Sequence, residues 1–173
     1  MNHRDLTSYI RTVEDFPEAG VSFKDLSPMF QSPEGFNACV LALAEQSSHY
    51  NFDKIACIDA RGFIFGSTLA HHLAKPFFLI RKEGKLPGNT LTQSYELEYG
   101  SATLAIQEDA LLKGQSVMII DDILATGGTL KASCQLIEQL GGHVVACQVV
   151  LELEALKGRE TLKRIEIKSL IQQ

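Results

Sequence analysis

The sequence predicts an α/β domain in which a mostly parallel central sheet is flanked by helices. Three observations predict it. Short apolar runs alternate with helical patterns from about residue 54 onward. The runs KIACID, QSVMII and HVVACQVVLEL are almost continuously apolar, as strands covered on both faces must be. No linker, internal repeat or low-complexity tract interrupts the 173 residues. That length suits one domain, 1–173, burying about 70% of the surface its unfolded chain exposes.

The elements follow in order. Residues 3–14 mix charged and apolar side chains at helical spacing and predict a short amphipathic helix. FPEAGVSFKDLSPMF carries Pro17, Gly20 and Pro28 and predicts an irregular loop. Ser32 suits a helix cap with Pro33 in the first helical position, and Phe36, Val40, Leu43 and Ala44 give that helix an apolar face. KIACID (54–59) is a strand, followed by a helix from about Gly62 to Leu73. KPFFLI (75–80) is the next strand, and the polar, Gly/Pro-rich residues 81–92 form a long loop. YELEYGSATLAI alternates around Gly100 and predicts a hairpin. QSVMII (115–120) is a strand leading to a helix that ends near Leu140; GGHVVACQVVLEL starts another strand, and RIEIKSLI is the last.

A net charge of −5 argues against a generic nucleic-acid binder, whose footprint is a basic face. No apolar run approaches the roughly 20 residues of a membrane span, and the amino-terminal residues show no apolar signal region. Cys39, Cys57, Cys134 and Cys147 form no C-x-x-C pair and read as buried free thiols. The expected setting is a reducing cytoplasm.

The most informative stretch is VMIIDDILATGGT, 117–129. Ala125, Thr126, Gly127, Gly128 and Thr129 bridge a strand and a helix. Unpaired N–H groups at a helix start favour an anion, and glycines let a phosphate approach the backbone. By itself this turn suits either a phosphate cradle or a tight turn with threonine as cap. Asp121 and Asp122 change the balance. Beside a phosphate they would repel the ligand, unless they bind another part of the same molecule. A sugar cis-diol is such a part, since carboxylates accept strong charge-assisted hydrogen bonds from hydroxyls. The stretch therefore reads as a ribose-5-phosphate site.

VMIIDDILATGGT resembles, at all thirteen positions in character, the 5-phosphoribosyl-1-pyrophosphate (PRPP) motif of the type I phosphoribosyltransferases. The resemblance implies their fold, with a central sheet flanked by helices and a flexible hood. It also implies Mg²⁺ carried by PRPP rather than by a dedicated protein site. Three further stretches are similar to the adenine-using branch of the family. DARGFIFGSTLA resembles its pyrophosphate loop, which implies Asp59, Ala60 and Arg61 at the pyrophosphate, with Ala60 where many members have serine. RKEGKLPGNTLTQSYELEYG resembles its hood, about 81–106. It implies Glu98 as acid/base group near the purine with Tyr99 beside it. It also places Lys82 and Lys85 at the pyrophosphate and Arg81 toward the active site of a partner subunit in a homodimer. FPEAGVSFKDLSP (16–28) resembles the base-recognition segment. Phe23 would stack on adenine with Ile123 on the other face, while backbone around Ser22 and Lys24 reads the base edge. LKGRETL near the carboxyl terminus also fits these enzymes. The implied substrates are adenine and PRPP. A phosphoribosyltransferase for another purine and a PRPP-sensing regulator are the rival readings. The base pocket discriminates the first and nucleic-acid binding the second.

Overall fold

In the computed structural model, residues 6–96 and 100–173 are described. A 3-10 turn (Leu6–Tyr9) leads into strand β1 (Arg11–Glu14), which pairs antiparallel with β2 (Ser22–Asp25). The helix expected over 3–14 is thus replaced, from residue 11, by a strand; residues 1–5 lie outside the described part. The reason is tertiary. A four-residue segment is too short to hold a helix alone. Here its backbone pairs with β2, and Arg11 forms an ion pair with Asp25 at 2.5 Å. The expected loop over 16–30 contains β2 and most of the short helix α1 (Ser27–Gln31), with Pro28 in its first turn.

Helix α2 (Pro33–Ser47) begins as its sequence dictates: Ser32 Oγ accepts the Gly35 N–H at 3.0 Å, and Pro33 occupies the first turn. Strand β3 (Lys54–Ile58), helix α3 (Gly62–His72) and strand β4 (Phe77–Lys82) follow. Strands β5 (Thr90–Glu96) and β6 (Ser101–Gln107) pair antiparallel, with Glu96 opposite Ser101. The loop expected over 81–92 is shorter than its composition suggested. Arg81 and Lys82 are recruited into pairing with β6, and Thr90 begins β5. Strand β7 (Ser116–Leu124), helix α4 (Gly128–Gln139), strand β8 (His143–Glu152), a 3-10 segment (Gly158–Leu162) and strand β9 (Ile167–Gln172) complete the chain.

The seven-stranded sheet has the order β5-β6-β4-β3-β7-β8-β9. The pairs β4–β3, β3–β7, β7–β8 and β8–β9 are parallel, while β6 runs antiparallel to β4 and β5. Strand alternation divides two cores. Ala56, Ile58, Val117 and Ile119 face one that includes Leu130, Leu136 and Ile137 of α4. Ile55, Cys57, Met118 and Ile120 face another that includes Met29, Leu43, Phe65 and Leu69 of the first three helices. Phe30, Phe36 and Phe65 stack within the second, with centroids 5.4 to 6.2 Å apart. All four cysteines are buried and unbridged. Among the described residues no helix is long and apolar enough to cross a membrane.

Helix α3 lies unusually close to the sheet because Gly62 and Gly66 face it. A Cβ at Gly66 would meet Cys57 Sγ, and one at Gly62 would sit 3.0 Å from the Ile120 carbonyl. Alanine at 66 would gain about 1 kcal/mol of helix propensity, but overpacking a buried site costs about 1–3 kcal/mol. Cys57 is fully buried within the second core, so any move it makes displaces packed neighbours. Gly66→Ala is therefore expected to lower stability in urea unfolding. Adding Cys57→Ala should recover most of the loss; no recovery in the double variant would contradict this packing account.

Candidate active site

From β3 the chain passes to β4 on one side, and from β7 it passes to β8 on the other. The carboxyl ends of β3 and β7 therefore flank a crevice, the place where parallel sheets leave room for a ligand. Asp59, Ala60 and Arg61 follow β3 directly; Asp121, Asp122 and Ile123 lie within the last part of β7. The strand is longer than its apolar run because β8 continues to pair with it, as far as Leu124 opposite Glu152.

Asp121 and Asp122 are 7% and 6% exposed, so they are not a solvated turn. Asp121 Oδ1 accepts the Asp122 N–H at 2.8 Å. Burial, and then the neighbouring Asp122 charge, pushes the Asp121 carboxyl well above the ordinary aspartate range. Burial also raises Asp122, against the opposing pull of Arg61. Arg61 Nε stands 2.6 Å from Asp122 Oδ2. This contact is a charge pairing without a well-aligned hydrogen bond, since that oxygen satisfies none. Arg61 reaches it because Gly62 lets the first turn of α3 settle on β7: a Cβ there would lie 2.9 Å from Asp121 Oδ1. The same guanidinium lies 5.5 Å from the centre of the Phe23 ring, which packs edge-on against Phe16. Three segments remote in sequence thus meet at Arg61.

The second half of the crevice is the turn into α4. Gly127, the residue before the helix, has φ +85°, a conformation glycine adopts without strain. Helix α4 starts at Gly128 with no side-chain cap, and α3 likewise starts after Arg61 with none. A helix start without a side-chain cap can turn N–H groups toward an anion, although at α3 the Phe63 and Ile64 N–H groups donate back to the Ala60 and Arg61 carbonyls. Thr129 is not the cap that the turn reading allowed; its hydroxyl donates to Tyr95 Oη at 3.2 Å. Tyr95 also packs on Gly128, where a Cβ would come within 3.0 Å of the ring. A cavity of about 430 Å³ lies here, bordered by Tyr95, Glu96, Thr126, Gly128, Lys131 and Thr161.

The remaining residues fall around this centre. Arg81 is engaged by Asp59 (Nε to Oδ2, 3.0 Å) and lies 5.7 Å from the Phe63 ring centre. Lys82 and Lys85 are exposed. Ser22 Oγ donates to Glu14 and Lys24 Nζ to Thr12, so both side chains are turned toward β1. Ile123 is half-buried beside Asp122. Glu98 and Tyr99 lie outside the described residues. Sequence reasoning missed Tyr95, which alternates like any hairpin residue, and the contact of Gly158 and Thr161 with Gly127. The segment LKGRETL was noticeable only as a likeness, because nothing local says what it touches.

The phosphoribosyl transferase domain model matches residues 30–171. The adenine phosphoribosyltransferase of Mus musculus is 51% identical over 166 residues, covering 94% of this chain and 92% of that one. The crystal structure of adenine phosphoribosyltransferase from Thermoanaerobacter pseudethanolicus superposes with a TM-score of 0.96 at 45% identity, covering 99% and 100% of the two chains. The Saccharomyces cerevisiae enzyme, complexed with D-2,5-dideoxy-2,5-imino-altritol 1,6-bisphosphate and adenine, gives 0.90 at 38% identity over 97% of each chain.

The buried acidic pair has a stability signature. A carboxyl raised by burial takes up its proton at a higher pH in the folded chain than in the unfolded one. Its ionised form costs stability, and that cost is relieved as pH falls through the raised value toward the ordinary one. Asp121→Asn keeps an acceptor for the Asp122 N–H and removes the buried charge. It is expected to raise the melting temperature of the ligand-free protein at pH 7 by a few degrees and to flatten this acid-side dependence. A lowered melting temperature at pH 7 would contradict the assignment.

Proposed function

We propose a function on the premise that this chain belongs to the phosphoribosyl transferase family and, within it, to the adenine phosphoribosyltransferases. It is a pentosyl-transferring enzyme of purine salvage: adenine and PRPP give AMP and pyrophosphate. The observation that carries this reading is the junction at Arg61, where an aromatic ring, a guanidinium and a buried acidic pair meet beside two uncapped helix starts. Base, pyrophosphate, ribose and 5-phosphate each find their chemical complement in that order.

In this reading the whole chain, 1–173, acts as one phosphoribosyltransferase domain. The α4 start, Ala125 to Thr129, holds the 5-phosphate, and Asp121 and Asp122 accept the ribose hydroxyls. The start of α3, with Asp59, Ala60 and Arg61, takes the pyrophosphate, aided by Lys82 and Lys85. Phe23 and Ile123 enclose adenine. Strand β2 supports backbone reading of the base edge. Among the described residues it pairs only with β1, and its side chains at Ser22 and Lys24 are occupied there.

The purine nitrogen forms a bond to the anomeric carbon as the bond to pyrophosphate oxygen breaks. Positive charge develops on the ribose ring, close to the acidic pair, and negative charge departs toward Arg61. Stabilising both charges in place is the main catalytic effect. Glu98 takes the proton from the attacking nitrogen, with Tyr99 beside it as the hood closes. Asp122 Oδ2, buried and without an aligned hydrogen bond, is the oxygen chemistry a hard cation prefers. The described residues hold no cluster of three or more acidic, histidine or cysteine groups, so the substrate's phosphates would complete a magnesium shell. When bound, Mg²⁺ neutralises and orients the leaving pyrophosphate. The enzyme works as a cytoplasmic homodimer, with Arg81 near the subunit boundary.

The primary test is pyrophosphate release from PRPP and Mg²⁺ with adenine, hypoxanthine, guanine or xanthine. Release with adenine alone, yielding AMP, is the expected result; release with an oxopurine instead would overturn the base pocket. Glu98→Ala should lower kcat by about 10²–10⁴-fold while PRPP affinity changes little. Equal losses in both would remove its acid/base role. Asp121→Asn combined with Asp122→Asn should weaken PRPP binding, and unchanged affinity would contradict the diol assignment.

A further inference from the structure

The segment LKGRETL is not absorbed by the reaction, yet it lies against the loop that the reaction needs. A Cβ on Gly127 would meet Thr161 Oγ1 and would lie 2.5 Å from the Gly158 carbonyl oxygen. A Cβ on Gly158 would meet the Ala125 carbonyl oxygen and come within 2.7 Å of Leu124. The two backbones interlock, each using the other's missing side chain. Thr161 Oγ1 donates to the Gly158 carbonyl at 2.7 Å and closes the short 3-10 segment on itself.

Besides the buried Leu162, one arginine ties that segment to the sheet. Arg159 grips Glu152 with two parallel contacts, Nε to Oε1 at 2.5 Å and Nη2 to Oε2 at 2.6 Å. It also donates to the Ile167 carbonyl and to Ser169 Oγ on β9. Glu152 is 4% exposed and accepts further bonds from Ser169 and Gln172. Burial alone would raise its carboxyl, but these donors outweigh burial and hold it below the usual glutamate range. Glu152 is the sheet partner of Leu124, the last residue of β7, and the Leu153 N–H donates to the Leu124 carbonyl at 2.9 Å. The path from Leu124 through Glu152, Arg159 and Gly158 therefore returns to Ala125 and Gly127. It is a closed ring around the start of the loop.

We propose that Glu152, Arg159 and Gly158 are positioning residues that fix the backbone of Leu124 to Gly127, and so set affinity for the 5-phosphate but not for the base. This rests on the reading that Ala125 to Thr129 holds that phosphate. Backbone N–H donors gain affinity for an anion only when they are already aimed, because ordering them on binding costs free energy. Arg159 is partly exposed, so its pairing contributes more to geometry than to stability. The rigid fork of arginine matters here; a lysine supplies the charge without the paired contacts.

The test is calorimetric titration of ribose 5-phosphate into the wild-type protein, Arg159→Lys and Gly158→Ala, with KM for PRPP and for adenine measured on each. In both variants the ribose 5-phosphate Kd and the PRPP KM are expected to rise about tenfold, with the adenine KM changing by less than about twofold. Should Arg159→Lys fail to fold, Gly158→Ala carries the same expectation by pushing on the Ala125 carbonyl. Unchanged ribose 5-phosphate affinity, or a parallel loss for both substrates, overturns the positioning role. Absence of ribose 5-phosphate binding by the wild type would overturn the phosphate loop itself, and the positioning role with it.

Discussion

Two adjacent carboxylates buried at the end of a central strand are the constraint around which this molecule is arranged. Buried charge is expensive, and burying two side by side more so. The chain answers with Arg61, brought within 2.6 Å of Asp122 by the close seat of α3 on β7. That seat in turn requires Gly62 and Gly66, since a side chain at either would strike β7 or β3. The pairing is left incomplete, with Asp122 Oδ2 lacking an aligned hydrogen bond. An unsatisfied buried polar atom beside a pair of carboxyls with raised pKa marks this place as a candidate site.

The sheet order makes this arrangement reachable. Because the chain leaves β3 and β7 in opposite directions across the sheet, their carboxyl ends open a crevice between two helix starts. Neither α3 nor α4 caps its start with a side chain. The hairpin of β5 and β6 extends the sheet on the β4 side and leans on α4 through Tyr95, which reaches Thr129. The 3-10 segment at Gly158–Leu162 closes the loop from the other side through its contact with Gly127. A loop that carries N–H donors is thus held by a hydrogen bond from one flank and by backbone packing from the other.

Much of this was legible in the sequence. The parallel core strands announced themselves through continuous apolar runs, and the Ser32–Pro33 helix start appeared as its residue types require. The turn at Ala125–Thr129 stood out through its small residues and the acidic pair before it. Errors clustered where pairing partners decide. Residues 11–14 carry a pattern compatible with a helix, yet β2 offered a strand partner and an ion pair. Residues 81, 82 and 90 were loop-like by composition and became strand through β6.

The sequence alone displayed the residue types that make a candidate site: acidic pair, glycine-rich turn, arginine before a helix start, aromatic residue in the amino-terminal segment. These are properties of residue types in local order, and local order is what a sequence displays. Only the tertiary structure decided that Phe23, Arg61 and Asp122 meet, that Thr129 binds Tyr95 rather than capping its helix, and that Gly158 interlocks with Gly127. Each of these contacts joins residues more than thirty positions apart, and that of Gly127 with Gly158 also depends on the absence of a side chain. Their energy is realised only once strand order and helix packing have closed the distance.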